Sequence, residues 1–223
     1  MTCTGSPPFT AEQFFDVLRR YNDAVWPAQW AFYLLALVAV AVAWRGTAAR
    51  AGRLVSGVLA FLWLWIGVAY HLTFFRAINP GATLLGVLFI AQAALFAWMG
   101  VWRTHLTFRP RPDWTGLVGG LLLLYALVGY PALGYAFGER YPAVPTFGLP
   151  CPTTIFTFGL LLWTARPVPA VVFPIPIAWA ALGQQAAVYF GVREDLGLTI
   201  AGLLALIDLL SKPTVKRTTR RVA

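Results

Sequence analysis

Seven apolar segments, separated by short charged or proline- and glycine-containing breaks, constrain the fold of this chain more than any other feature. Several reach the roughly 20 residues that an α-helix needs to cross about 30 Å of hydrocarbon. The chain is 59% hydrophobic and 11% charged, whereas about 25% of residues in soluble domains are charged. The sequence therefore predicts an all-α, polytopic helical membrane protein, with spans at residues 25–44, 54–75, 81–102, 114–137, 152–165, 168–190 and 196–210.

A segment before the first span has one apolar and one charged face. Thr10 and Gln13 have the spacing of a capping box, which marks a helix N-terminus. The apolar face carries Phe14, Val17, Leu18 and Tyr21. Because this segment is too polar to span, we expect an amphipathic interfacial helix that lies on the membrane or over a vestibule. Residues 1–9 contain no basic stretch leading into an apolar core, so we expect no cleavable signal peptide.

Basic residues are unevenly distributed among the breaks. With the N-terminus outside, twelve of the 17 Lys and Arg residues and two of the eight acidic residues fall on the inner side, as the positive-inside rule requires. The prediction is an interfacial helix at 1–23, a transmembrane domain at 24–210 and a basic cytoplasmic tail at 211–223, with the N-terminus out and the C-terminus in. The partner of this charge is the lipid bilayer, and no nucleic-acid partner is expected.

Two predicted spans are irregular. The fifth covers about 14 residues, roughly 21 Å of helix, and the sixth contains four prolines, Pro167, Pro169, Pro174 and Pro176. Broken backbone is tolerated at membrane depth only where protein or a wet cavity satisfies it. We therefore expect a cavity that opens outward among the second, fourth, fifth and sixth spans. In the fourth span, Gly116 and Gly120 have the spacing of a close-packing pair.

A thiol lies between two prolines where the fifth span begins. Pro152 suits the first position of a helix, which would make Cys151 the cap residue and Pro150 the residue before it. A sulfur at a helix N-terminus faces the positive end of the helix dipole, which favours the reactive thiolate. Thr153 and Thr154 follow at the same helix mouth and are candidate binding residues.

The segments around this thiol resemble those of a known family. Residues 145–149 (Pro-Thr-Phe-Gly-Leu) precede 150–157 (Pro-Cys-Pro-Thr-Thr-Ile-Phe-Thr), and residues 8–15, 21–27 and 70–75 are also similar. The family consists of small bacterial multi-pass membrane proteins of uncharacterised function. The resemblance implies a fold and a location in the bacterial cytoplasmic (inner) membrane. It implies no activity and no cofactor.

Cys151 has two interpretations. As an accessible thiolate, alone or with His71, it would bind a soft metal ion. As a small buried residue, it would only let a proline-capped helix pack. Cys3 falls on the same predicted side, so a disulfide or a shared ligand is also open.

Other polar residues in apolar segments are candidate ligand contacts. His71, with Tyr70 beside it, is a ligand or proton relay, or else a satisfied residue near the interface. Tyr130 would line the same mouth. Gln184 and Gln185 contact a substrate or connect helices by hydrogen bonds. Asp208 and Lys212 have the spacing of an ion pair on one helix face, the alternative being a proton-coupling acid.

Three functions remain open on these patterns. The first is a protein that binds or transports a small solute through the outward cavity. The second is an interaction subunit, in which the helix around Phe14 and the Gly116/Gly120 surface dock a second copy or a membrane partner. The third is a membrane thiol or redox enzyme using Cys151. Enzyme activity is not the favoured prediction, because phosphate-loop, zinc-protease and serine-hydrolase motifs are missing.

Overall fold

The described residues, 8–45, 48–164 and 168–211 of a computed structural model, are almost entirely helical and contain no β-strand longer than an isolated bridge. The helices are α1 (Ala11–Val25), α2 (Ala28–Arg45), α3 (Ala48–Trp65), α4 (Ala82–Phe96), α5 (Trp114–Leu124), α6 (Tyr130–Ala136), α7 (Pro150–Leu162), α8 (Pro174–Phe190) and α9 (Leu196–Ser211).

Within the described ranges, five helical stretches are long and apolar enough to cross a membrane: Ala28–Arg45, Arg50–Ala77, Ala82–Trp102, Trp114–Ala136 and Ala170–Phe190. The predicted fifth and seventh spans are also helical, but α7 has 13 residues and α9 has 16. The all-helical class is therefore confirmed, with five candidate membrane-spanning helices.

Three of these long stretches change from α-helix to π-helix along their length. The π-helical segments are Ile66–Phe74, Ala97–Trp102 and Tyr125–Gly129. A π-helix turns more widely and shifts the faces of the residues that follow it, and such segments are frequent at functional sites. The first contains Tyr70 and His71, and the third ends just before Tyr130.

Helix α1 folds onto the end of the bundle. The predicted capping box is present, since the Thr10 hydroxyl accepts a hydrogen bond from Gln13 N and the Gln13 side chain accepts one from Thr10 N. The predicted apolar face is buried, and so is Asn22. The Asn22 amide donates to the backbone oxygens of Pro142 (2.7 Å) and Val144 (2.8 Å). These bonds attach α1 to the loop that leads into α7.

Helix α7 lies at the centre of the molecule, because twelve of its 13 residues are buried. It approaches α5 closely at Gly119 and Gly159: a Cβ on either glycine would lie 2.9 Å from the carbonyl oxygen of the other. This close approach uses Gly119, and the close-packing pair suggested at Gly116 and Gly120 stays a prediction. A Cβ on Gly116 would clash with Arg111 of its own loop, and Gly120 makes only ordinary contact with Trp163.

The predicted break in the sixth span is present. A short 3-10 turn, Ala170–Val172, precedes α8, which begins at Pro174. The Gln92 amide of α4 donates to the carbonyl oxygen of Val172 at 3.1 Å. A buried side chain of a neighbouring helix thus partly satisfies the broken backbone, as the sequence argument requires.

The two ends of the bundle differ in charge. Basic loops meet at one end, where Arg109 N donates to Trp163 O at 2.6 Å and Trp44 packs on the Trp163 ring. At the other end, α1 packs against α8 through Phe14 and Phe190, whose ring centroids are 4.8 Å apart. This second end also carries Glu139, Glu194 and Asp195. The charge of Glu194 raises the pKa of both Glu139 and Asp195.

Candidate functional site

A cavity of about 160 Å³ lies beneath α1, and we call it the α1 cleft. Its volume is sufficient for several water molecules or one small solute. Most of its wall is apolar and aromatic, including Phe9, Phe14, Leu18, Phe75, Leu182 and Phe190. Polar atoms come from Tyr70, Asn79, Cys151, Trp179, Gln185 and Asp195. Three predicted binding residues, Cys151, Tyr70 and Gln185, therefore line one cavity.

Cys151 is in the first turn of α7, but it is not the cap residue. Leu149 is the N-cap, in an extended conformation with φ −91° and ψ 163°, and Pro150 is the first helical residue. The prediction that Pro152 begins the helix is thus wrong by two residues. Either proline can occupy a first turn, because neither needs its missing N–H there. The thiol is free of any disulfide within the described residues.

Asp195 provides the charge that sequence reasoning missed at this site. It ends a short 3-10 turn, Arg193–Asp195, and is only 1% exposed. The Tyr130 hydroxyl donates to its Oδ1 at 2.5 Å, and the Cys151 thiol lies within hydrogen-bonding reach of the same carboxyl group. In the part of the chain that the structure describes, no salt bridge involves Asp195. Burial raises the pKa of Asp195 to about 7, although both hydrogen bonds favour the charged form.

The neighbours of Cys151 change the chemistry expected of it. A helix N-terminus favours a thiolate, but a carboxylate beside the sulfur opposes a second negative charge. The Trp179 indole Nε1 is close to the thiol, yet it makes no hydrogen bond of good geometry to any described residue. Thiol, carboxyl and indole together form a polar floor on which a ligand would find both donors and an acceptor.

His71 does not line the α1 cleft. It is fully buried and lies behind the cleft wall, with its ring centroid 4.6 Å from Phe89 and 5.4 Å from Trp179. Neither ring nitrogen has a hydrogen-bond partner among the described residues. Tyr130 likewise stands behind Asp195 rather than at the cavity surface.

The remaining candidates divide between the interior and the surface. Thr153 and Thr154 are fully buried, and their hydroxyls find no partner within the described residues. Neither lines the α1 cleft. Both glutamines of α8 are exposed, and of the two Gln185 lines the cleft whereas Gln184 does not.

The family assignment comes from comparison with known proteins. A model of a family of unknown function, DUF6064, matches residues 11–220, which covers α1 to α9 and both walls of the cleft. The chain belongs to the DUF6064 family. No curated protein and no solved structure matches it.

For this DUF6064 member, the predicted uncharacterised family is confirmed. The family match brings no activity with it, so any function must be argued from the cleft itself.

Some site predictions lie outside the described residues. Cys3 and Lys212 are two of these, so the suggested disulfide and the suggested pair with Asp208 stay predictions. Among described residues, no group of three or more His, Cys, Asp or Glu side chains is arranged to hold a metal ion. The soft-metal interpretation of Cys151 with His71 gains no support from this geometry.

Proposed function

We propose that this DUF6064 protein is a polytopic membrane protein that binds a small solute in the α1 cleft, as the first step in moving it across the bilayer. The observation that carries the proposal is the cleft itself. It is an aromatic and apolar cavity at one end of a helical bundle, with the Asp195 carboxyl group, the Cys151 thiol and the Trp179 indole N–H at its floor. Ligand sites generally combine apolar walls with a few polar groups in this way.

The wall chemistry indicates which solutes fit. Rings of Phe9, Phe14, Phe75 and Phe190 would cover an apolar body. Asp195 would accept a hydrogen bond from, or pair with, a polar end of the solute, while Trp179 Nε1 would donate one. A small amphipathic molecule with a single polar end therefore fits better than an ion or a sugar.

Helix α1 would act as the cover of this site. Phe14 and Leu18 belong to the cavity wall, and the Asn22 bonds hold the helix C-terminal half in place. The free N-terminal half is joined to the bundle mainly by aromatic contacts, such as Phe9 to Phe190 at 5.4 Å. Exchange of solute would require only that these contacts separate.

The membrane placement follows from the charges. We propose seven spans, with α7 and α9 as short ones surrounded by longer helices, the N-terminus out and the C-terminus in. The clustering of basic loops at the end opposite the cleft supports this orientation. The family resemblance supports the bacterial cytoplasmic membrane as the location.

The interaction-subunit alternative has less support from the two surfaces that suggested it. The apolar face of α1 is buried within the chain, and Gly116 packs on its own loop. A partner would have to use other surfaces, none of which the sequence indicated.

The proposal is tested by filling the cleft. Ala186 lines it, whereas Val188, two residues on, is 71% exposed. The measurement is mass spectrometry of small molecules that are released when protein purified in its native lipids is denatured. A compound released by wild type and by Val188→Trp but lost in Ala186→Trp supports the proposal. Equal release from all three, or release from none, contradicts it.

A further inference from the structure

A second cavity, of about 260 Å³, lies on the other side of the turn that carries Asp195. Five aromatic side chains line it, Trp26, Trp30, Tyr33, Tyr135 and Tyr141. We call it the aromatic cage. It is separate from the α1 cleft in its ligand groups, since Pro145 is the one residue that lines both.

Two carboxyl groups meet at the base of the aromatic cage. Glu139 and Glu194 both line it, and they approach each other above Gly134. A Cβ on Gly134 would lie 2.9 Å from Glu194 Oε1 and 3.2 Å from Glu139 Oε2. Glu194 is only 1% exposed. In the described parts of the chain, neither acid takes part in a salt bridge.

Unpartnered acceptors point to a missing donor or cation. The Oε2 atoms of Glu139 and Glu194 are buried and accept no hydrogen bond from an N–H or hydroxyl group of the described residues, so a proton shared between the two carboxyl groups is what links them. Gln29, 5% exposed, also lines the cage. Its Nε2 donates to Asn22 O at 3.1 Å, whereas its buried Oε1 accepts no hydrogen bond from a described residue. Three buried acceptors that share at most one proton among them are unusual, because such groups are nearly always paired.

We propose that the aromatic cage binds an organic ammonium cation. Aromatic faces attract such cations through the ring quadrupole, and cages of several rings are a recurrent way to hold a quaternary ammonium group. Glu139 and Glu194 supply the compensating charge, and the Gln29 carbonyl oxygen contributes a further acceptor. The site is independent of the function proposed for the α1 cleft.

Protons compete for the same carboxyl pair. Burial, and then the neighbouring Glu194, raise the pKa of Glu139 to about 8, and burial also raises the pKa of Glu194. The other charged or titratable groups around the pair are Asp195, Tyr125, Tyr130, Tyr135, Tyr141, Arg140 and Arg193. Near neutral pH the empty pair therefore holds a proton, which an incoming cation would displace.

The binding test uses choline and its uncharged isostere. Radiolabelled choline is titrated into protein in vesicles of phosphatidylglycerol, with 3,3-dimethyl-1-butanol as the competitor that has the same shape but no charge. We expect saturable binding that tetramethylammonium displaces and the alcohol does not. Equal competition by the alcohol, or an absence of saturable binding, would overturn the proposal.

Glutamine variants identify the site. Glu139→Gln and Glu194→Gln should each weaken choline binding about tenfold or more, because a charged contact is lost. Glu12→Gln is the matched control, since Glu12 is an exposed carboxylate on α1. Ala186→Trp, which fills the α1 cleft from α8, should leave choline affinity unchanged, so failure of one site is distinguishable from failure of the other. Wild-type affinity in both cage variants would place the cation elsewhere and contradict the proposal.

The pH profile and the lipid composition complete the test. Choline affinity should rise about tenfold per unit from pH 6 to pH 7, as one proton is displaced, and this slope should disappear in Glu139→Gln. A free amine and a lipid headgroup share the same ammonium chemistry. If phosphatidylethanolamine in the vesicles lowers the apparent affinity for choline, the headgroup is the ligand, and if it has no effect, a soluble amine is. A pH-independent affinity would contradict the role of the carboxyl pair.

Discussion

Glu194 and Asp195 are consecutive residues, each 1% exposed, whose side chains line two different cavities. Asp195 lies in the α1 cleft with Cys151, with Tyr130 bonded behind it, and Glu194 lies in the aromatic cage with Glu139. The 3-10 turn Arg193–Asp195 makes this possible, because successive side chains of so tight a turn point in different directions. The two sites are thus separated by one peptide unit, and the charge state of one carboxyl affects the other.

The stability of the protein should fall as pH rises from about 5 to 8. In the folded state the pKa of Glu139 is raised to about 8 and that of Asp195 to about 7. The folded chain therefore retains protons that the unfolded chain releases above its ordinary carboxyl pKa values, and folding is favoured less as pH increases. Thermal unfolding in detergent at pH 5 and pH 8 measures this difference. Glu139→Gln should reduce the fall, whereas Glu12→Gln should not, and a midpoint that rises towards pH 8 would contradict the burial of these acids.

Asn22→Ala should detach α1 from the loop before α7. It removes donors to the carbonyls of Pro142 and Val144 and the acceptor of the Thr146 hydroxyl. Buried groups left without partners cost about 1–3 kcal/mol each, so we expect a loss of about 2–4 kcal/mol in the free energy of unfolding. Asp23→Ala, one residue on and exposed, is the control. Unfolding in urea by tryptophan fluorescence measures both, and an equal effect of the two variants would refute the role given to Asn22.

Gly119→Ala should separate α5 from α7. The added methyl would lie 2.9 Å from Gly159 O and 2.7 Å from Trp163 Cδ1, which is too close without movement of backbone. Overpacking of this kind costs about 1–3 kcal/mol. Gly57→Ala has no atom within 4 Å of its methyl and should stabilise α3 by about 0.5–1 kcal/mol. We expect the two variants to shift the unfolding midpoint in opposite directions from wild type. A Gly119→Ala protein with an unchanged midpoint would mean that the two helices do not pack as closely as described.

His71→Phe should be tolerated. The ring lies among Tyr70, Phe75, Phe89 and Trp179, and its nitrogens find no partner among described residues. Replacing an unpaired polar group by an apolar one of similar shape is nearly neutral, within about 1 kcal/mol. His71→Lys, which would bury a charge, should in contrast reduce the yield of folded protein. Size-exclusion profiles and unfolding midpoints distinguish these outcomes, and a His71→Phe protein that fails to fold would show that the imidazole binds something essential.

The spacing of residues within a few positions of one another was sufficient to predict helix α1, which covers the site. The capping box at Thr10 and Gln13 and the buried face that includes Phe14 follow from spacing within a few residues. Asp195 could not be found this way, because a charged Arg-Glu-Asp turn has the composition of a solvated loop. Its burial depends on α6 and α7 meeting around it. The close approach at Gly119 was missed for a related reason: Gly116 and Gly119 are both buried in one helix, and only the position of α7 decides which of them meets another helix backbone.

Access to Cys151 from outside the cell tests the α1 cleft most directly. The measurement is the rate of labelling by a membrane-impermeant, positively charged thiol reagent in intact cells, in a Cys3→Ser background. We predict labelling without permeabilisation. Labelling should be slowed in Ala186→Trp and unchanged in Val188→Trp, because of these two residues only Ala186 lines the cleft. Labelling that requires permeabilised or denatured protein, or that Ala186→Trp leaves unaffected, would contradict an outward-opening cleft.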